Sequence, residues 1–229
     1  MDARSEILRA ATKLFAARGF DGTSLRQIAD AVGIRKPSLL YHFSTKEALL
    51  KAVLGEVLER WNEVLPRLLM AAASGERRFE AVMHEMTGFF AEDPDRARLL
   101  LREILDRPAQ MRRQLARHVA PWVRVVADYI RTGQRHGQIH DEVDPEAYVV
   151  HVVGMVVSGV AGAASLAGAL LPAGRSDERP EQRHVRELVR VARQALFRHP
   201  HVEVGSRPPP PRPEQAAPGA ETPAGEQRP

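Results

Sequence analysis

The chain has 229 residues, 33 Lys+Arg against 29 Asp+Glu, 44% hydrophobic residues and no cysteine. That apolar share excludes a generally disordered chain, and the missing thiols exclude a disulfide scaffold, a cysteine nucleophile and any cysteine-bearing zinc site. The formal charge of +4 is unevenly spread: residues 1–50 carry eight basic and five acidic side chains, and all four lysines (Lys13, Lys36, Lys46, Lys51) fall in the first 51 positions, as a local polyanion contact requires.

The opening Met1-Asp-Ala-Arg-Ser-Glu6 meets a charged amphipathic stretch and not an apolar secretory run, so a cytoplasmic location is expected. Ile7, Leu8, Ala11, Leu14 and Phe15 recur at helical spacing up to a break at Gly19. After the Asp21-Gly22 turn, Ser24 with Gln27 has capping-box spacing and opens a short helix to Val32, broken by Gly33. A third short helix follows Ile34, with Pro37 tolerated in its first turn. Ser44 with Glu47 predicts a second capping box and a longer helix through Trp61, which Pro66 is expected to bend or interrupt.

From about residue 65 to 200 every apolar stretch reads helical. Phe79, Val82, Met83, Met86, Phe89 and Phe90 form one stripe, Leu99 to Leu105 a second, and Val119, Trp122, Val123, Val126 and Ile130 a third. Pro121 marks a kink or start, Gly133 with Gly137 an end, and Asp144-Pro145 the next start; 181–198 supplies the last helix. With no period-2 run, the expected fold is all-α. Residues 204–229 include Arg207-Pro-Pro-Pro-Pro-Arg-Pro213 and hardly any large apolar side chain, which predicts a flexible tail with local polyproline II.

Residues 23–46 carry the strongest signal. Two short helices joined at Gly33, with small Ala29 where they cross and Ile28, Val32, Ile34 and Leu39 facing inward, make a helix-turn-helix. The outer face of the second helix then shows Arg35, Lys36, Ser38, Tyr41 and His42. Arg and Lys suit guanine edges or phosphates, Ser and Tyr phosphate oxygens, and Pro37 a thymine methyl. Lys46, near the start of the following helix, is expected on a backbone phosphate.

The run Ile7, Ala10-Ala11, Leu14-Phe15, Gly19-Phe20, Thr23-Ser24, Ile28-Ala29, Gly33, Leu39, Tyr41-His42-Phe43, Lys46-Glu47 and Leu49 resembles the N-terminal domain of the TetR/AcrR family of bacterial transcriptional regulators. Beyond about residue 60 the likeness is architectural. It implies a three-helix DNA-binding domain at 1–48 and a helical effector-binding and dimerisation domain at 49–203. The implied function is a regulator, most simply a repressor, that binds a palindromic double-stranded operator as a homodimer and is released by a small molecule. The resemblance implies neither catalysis nor a cofactor. By position the resemblance assigns DNA contact to Arg26, Arg35, Lys36, Pro37, Ser38, Tyr41, His42 and Lys46. Leu40 departs from the family, which usually has Tyr there, and Tyr41 is its expected substitute.

The resemblance also implies an effector pocket between about residues 50 and 170. Met83, Met86, Phe89, Phe90, Trp122 and Met155 are its expected walls, and His84, His118, Tyr129 and His151 its polar contacts. Residues 149–171 hold one ionisable side chain, His151, so a membrane span is weighed; their four glycines and two serines argue instead for a buried helix. Gly154, Ser158 and Gly162 recur every four residues, a face that lets another helix approach closely. The expectation is a four-helix dimer interface with Val185, Leu188, Val189, Ala192 and Leu196, and no membrane contact. Two other classes are weighed: an all-α enzyme using His136, His140, Asp141 and Glu142 in the 136–144 segment, and a membrane or scaffold protein built on 149–171. Nothing closes a metal-ligand set around those four residues, so no metal is expected.

Overall fold

Helix α1 (Ala3–Arg18) buries Ile7, Leu8, Ala11 and Phe15 and packs on α2 (Leu25–Val32), α4 (Lys46–Ala71) and α6 (Pro94–Asp106). The computed structural model describes residues 2–71, 75–171 and 179–198. Helices α3 (Lys36–His42), α5 (Gly75–Glu92), α7 (Pro108–His118), α8 (Ala120–Arg135), α9 (Pro145–Leu170) and α10 (Pro180–Leu196) complete the architecture. It is all-α as expected; among the described residues the extended backbone is one antiparallel bridge between Ile139 and Phe197. The expected 204–229 tail lies outside the described residues.

Apolar stripes set the order of packing. Helix α9 lies against α5, α6, α8 and α10, and its Val152, Val156, Val157 and Val160 join the main core. A second cluster gathers Ile130, Ile139, Val149, Leu196 and Phe197. The Pro145–Ala163 stretch is apolar and long enough to cross a membrane, with a mean hydropathy of 1.5. Its Val149, Val152, Val156, Val157 and Val160 are instead buried within the chain, while Val150 is exposed.

Several local expectations need correcting. Pro66 neither ends nor divides α4, which runs on to Ala71 with Leu65 and Leu69 buried on either side of it; tertiary packing there outweighs one missing backbone donor. The cap of α4 is Thr45, whose Oγ1 accepts from Ala48 N at 3.0 Å, a single side-chain cap one residue after the expected Ser44. Gly133 sits inside α8 and does not end it. A Cβ there would stand 2.5 Å from Ile139 Cδ1, so the position serves close approach. Helix α7, with only Met111, Leu115 and flanking polar residues, gives too sparse a stripe to have been read from sequence.

Candidate nucleic-acid interface and ligand cavity

Short-range chemistry builds the head. Ser24 Oγ accepts from Gln27 N at 3.2 Å, and Gln27 Oε1 accepts from Ser24 N at 2.8 Å, closing the capping box of α2. Gly33 ends that helix in the left-handed region (φ 77°, ψ 24°), where a Cβ is strained, and Ile34 N returns to Ala29 O at 3.0 Å. The chain therefore turns tightly over buried Ala29 into α3, with Pro37 in the first turn. Leu39 (0% exposed) fastens α3 to the core, and Val32 and Ile34 pack beside it.

Everything else on α3 faces outward. Arg35, Lys36, Pro37, Ser38, Tyr41 and His42 are all exposed; Tyr41 is 88% exposed and sits edge-on to His42 at 5.5 Å. Leu40 is also at the surface. Arg26, on α2, is exposed and only loosely paired with Asp30 at 4.0 Å.

Lys46 has a different position from the one its spacing suggests. Its Nζ donates to Phe20 O at 2.8 Å and Thr23 O at 3.0 Å, and lies 4.1 Å from the Phe20 ring centroid. Thr23, buried, donates its own hydroxyl to Gly19 O at 2.8 Å. Lys46 therefore locks the α1–α2 turn onto the start of α4. Arg107 lies over the same Phe20 ring at 4.1 Å. It also stands 3.8 Å from the carboxylate of Glu103, which is buried and held above the ordinary carboxylate range by desolvation, against the opposing pull of Arg107.

Farther along the chain a cavity of about 360 Å³ opens between α4, α5, α8, α9 and the segment after α10. Trp61, Leu65, Leu69, Phe79, Val82, Val126, Ile130, Val149, Val152 and Leu196 supply apolar wall, with Arg78, Tyr129, His136, Gln138 and Tyr148 as polar lining. The Ile139–Phe197 bridge, with His140 N on Leu196 O at 3.2 Å and Arg198 N on Gln138 O at 3.1 Å, closes one end.

Of the expected pocket residues, Met83, Met86, Trp122 and Tyr129 line this cavity. Six do not. Phe89 and Phe90 are buried elsewhere, Phe89 edge-on to Trp61 at 5.7 Å. His84 and His151 point to the surface, Met155 packs on the main core, and His118 is buried with Nδ1 3.8 Å from Glu59. Arg78, Phe79, Tyr148 and Phe197 were missed, because their spacing resembles that of any partly buried side chain.

The expected interface residues divide as well. Gly154 and Ser158 are exposed on α9 and Gly162 half-buried, in line with exposed Val150 and Leu166. On α10, Ala192 and Leu196 are buried inside the chain, with Ala192 O accepting from Tyr148 at 2.7 Å, so neither faces outward. Val185, Leu188 and Val189 are half-buried against the core. The 136–144 groups do not gather at one point: His136 Nδ1 is 2.8 Å from Thr132 O, Asp141 pairs with Arg198, and His140 Nδ1 lies 3.6 Å from Glu142. Among the described residues no three metal-ligating groups converge.

A sequence profile for "Bacterial regulatory proteins, tetR family" matches residues 7–53, and one for "Tetracyclin repressor-like, C-terminal domain" matches residues 72–160. The HTH-type transcriptional regulator RutR of Escherichia coli K12 is 48% identical over 58 residues, 25% of this chain and 27% of RutR. The chain thus matches about a quarter of that relative's length. YdgC of Bacillus subtilis, an uncharacterized HTH-type transcriptional regulator, is 26% identical over 180 residues, 73% of this chain and 88% of YdgC. The structure of the ketosteroid transcriptional regulator KstR2 of Mycobacterium tuberculosis superposes with a TM-score of 0.67 at 16% identity, covering 86% of this chain and 96% of KstR2, which shows a shared fold. With the head and the helical body both matched in chain order, the chain belongs to the TetR family of transcriptional regulators.

Proposed function

We propose that this chain is a cytoplasmic, ligand-responsive repressor in which a homodimer holds a palindromic operator and a small molecule in the cavity releases it. The observation that carries the reading is the division of α3: Leu39 alone is buried, while Arg35, Lys36, Ser38, Tyr41 and His42 stand uncovered beside it. A short helix so fastened and so exposed suits a major groove. Arg35 and Lys36 take base edges, Ser38, Tyr41, His42 and Arg26 take phosphates, and Pro37 packs on a thymine methyl. Lys46 supports this surface from behind.

Dimerisation through the exposed stripe of α9 (Val150, Gly154, Ser158 and Leu166) sets two α3 helices about 34–36 Å apart. Helix α4 begins directly after the head and presents Trp61, Leu65 and Leu69 to the cavity, so a ligand there bears on the element that carries α3. A ligand preferring a spacing that misfits the operator by about 1–3 kcal/mol changes affinity roughly 5- to 150-fold. The dispersal of His136, His140 and Asp141 favours regulation over catalysis. Selection of bound genomic fragments followed by gel-shift titration tests the reading. A twofold-symmetric site bound by a dimer and weakened by a cavity ligand supports it; indifference to every duplex refutes it.

A further inference from the structure

The polar lining of the cavity is unequal in what it leaves available. The Tyr148 hydroxyl donates to Ala192 O at 2.7 Å, and Thr132 donates to Asp128 O at 2.9 Å. Arg78 differs. Its Nε donates to Leu69 O at 2.8 Å and its guanidinium lies 5.0 Å from the Tyr129 ring centroid, yet its two terminal nitrogens meet no acceptor among the described residues. Among the described residues no Asp or Glu lines the cavity. A half-buried guanidinium with both outer nitrogens free, beside an apolar wall, is a docking fork for a planar anion.

We infer that the cavity takes an apolar monocarboxylate, its head paired with Arg78 and its hydrocarbon body along the apolar wall of α8 and α9. This rests on the effector reading above and names the ligand class for that site. A cation would be repelled by Arg78, and a wholly apolar molecule would leave the guanidinium desolvated without a partner. At about 30 Å³ per water-sized group, the cavity of about 360 Å³ holds roughly a dozen non-hydrogen atoms, the size of decanoate.

The chain's two tryptophans, Trp61 and Trp122, both line the cavity, so intrinsic fluorescence reports its filling. The full chain is titrated with decanoate and with 1-decanol, below the micellar range, alongside Arg78→Gln and Arg78→Lys. Decanoate should bind about 10- to 100-fold tighter than decanol, the range of a charge-assisted pair. Arg78→Gln should erase that preference while still taking decanol, and Arg78→Lys should restore part of it. Equal wild-type affinities, or a preference that survives Arg78→Gln, overturn the inference. If Arg78→Gln does not fold, the wild-type ratio and the lysine variant decide it. Operator release is followed in parallel. Release by decanol as strong as by decanoate overturns the carboxylate assignment and leaves the effector reading intact. Arg78-dependent binding without release upholds the site and overturns the effector reading.

Discussion

Lys46 separates a structural from a DNA-contacting role more sharply than any other basic residue. In Lys46→Met the alkyl stem remains and the ammonium is lost, which removes its bonds to Phe20 O and Thr23 O and its seat over the Phe20 ring. A hydrogen bond to a charged group contributes about 1.5–3 kcal/mol and a partly exposed cation–π contact about 0.5–1 kcal/mol. Water can reach part of this site, so the low end applies to each contact, and the head should lose about 3.5 kcal/mol. Urea denaturation followed by circular dichroism measures that loss, and operator affinity across a salt series measures any phosphate contact. The structural account predicts a lower urea midpoint with an unchanged slope of log affinity against log salt. A loss under about 0.5 kcal/mol together with a slope reduced by about one unit would show a phosphate ligand instead and refute the reasoning.

Neighbouring leucines on α3 should behave oppositely: Leu39→Ala leaves a void at a fully buried site and should cost about 3 kcal/mol, whereas Leu40→Ala, at 37% exposure, should cost under about 1 kcal/mol in the same denaturation assay. Burial raises the Glu103 carboxyl, so the folded state favours its protonated form. That stabilisation is complete below the ordinary carboxylate range and is lost as pH rises through the raised one. Glu103→Gln should therefore gain on the wild type as pH increases from about 4 toward 7; a difference in urea midpoint that stays constant with pH contradicts the desolvation argument. Ser158→Arg places a cation on the exposed small-residue stripe of α9 and should yield a monomer by sedimentation, with weakened operator binding; an intact dimer moves the interface elsewhere.

The head was largely legible because its determinants are local. The Ser24–Gln27 box, the Gly33 turn and the inward set of Ile28 and Leu39 all lie within a few residues of what they control. The structural bonds of Lys46 are not legible in the sequence, because its acceptors lie 23 and 26 residues earlier and no spacing rule connects them. The body shows the same limit. Met83 and Met86 on α5 reach the cavity, but Phe89 and Phe90 of the same stripe turn toward Trp61 and the main core. Periodicity identifies an inward face; it does not say whether that face meets another helix or an empty space. Ala192 and Leu196 were assigned to a partner because α10 is amphipathic, whereas α9 of the same chain already covers them. Arg78 carries no local signal at all, since which side chains surround its guanidinium is decided by folding, with no carboxylate on the cavity lining among the described residues.

Hydroxyl-radical footprinting on a selected operator, with wild type and the Arg35→Ala/Lys36→Ala double variant, tests the central claim most directly. The account predicts two protected patches related by a twofold axis and about one helical turn apart. In the double variant both patches should fade, with about 1–3 kcal/mol lost for each base contact removed. A single unsymmetrical patch, or protection undiminished in the double variant, would contradict α3 as the element that reads DNA.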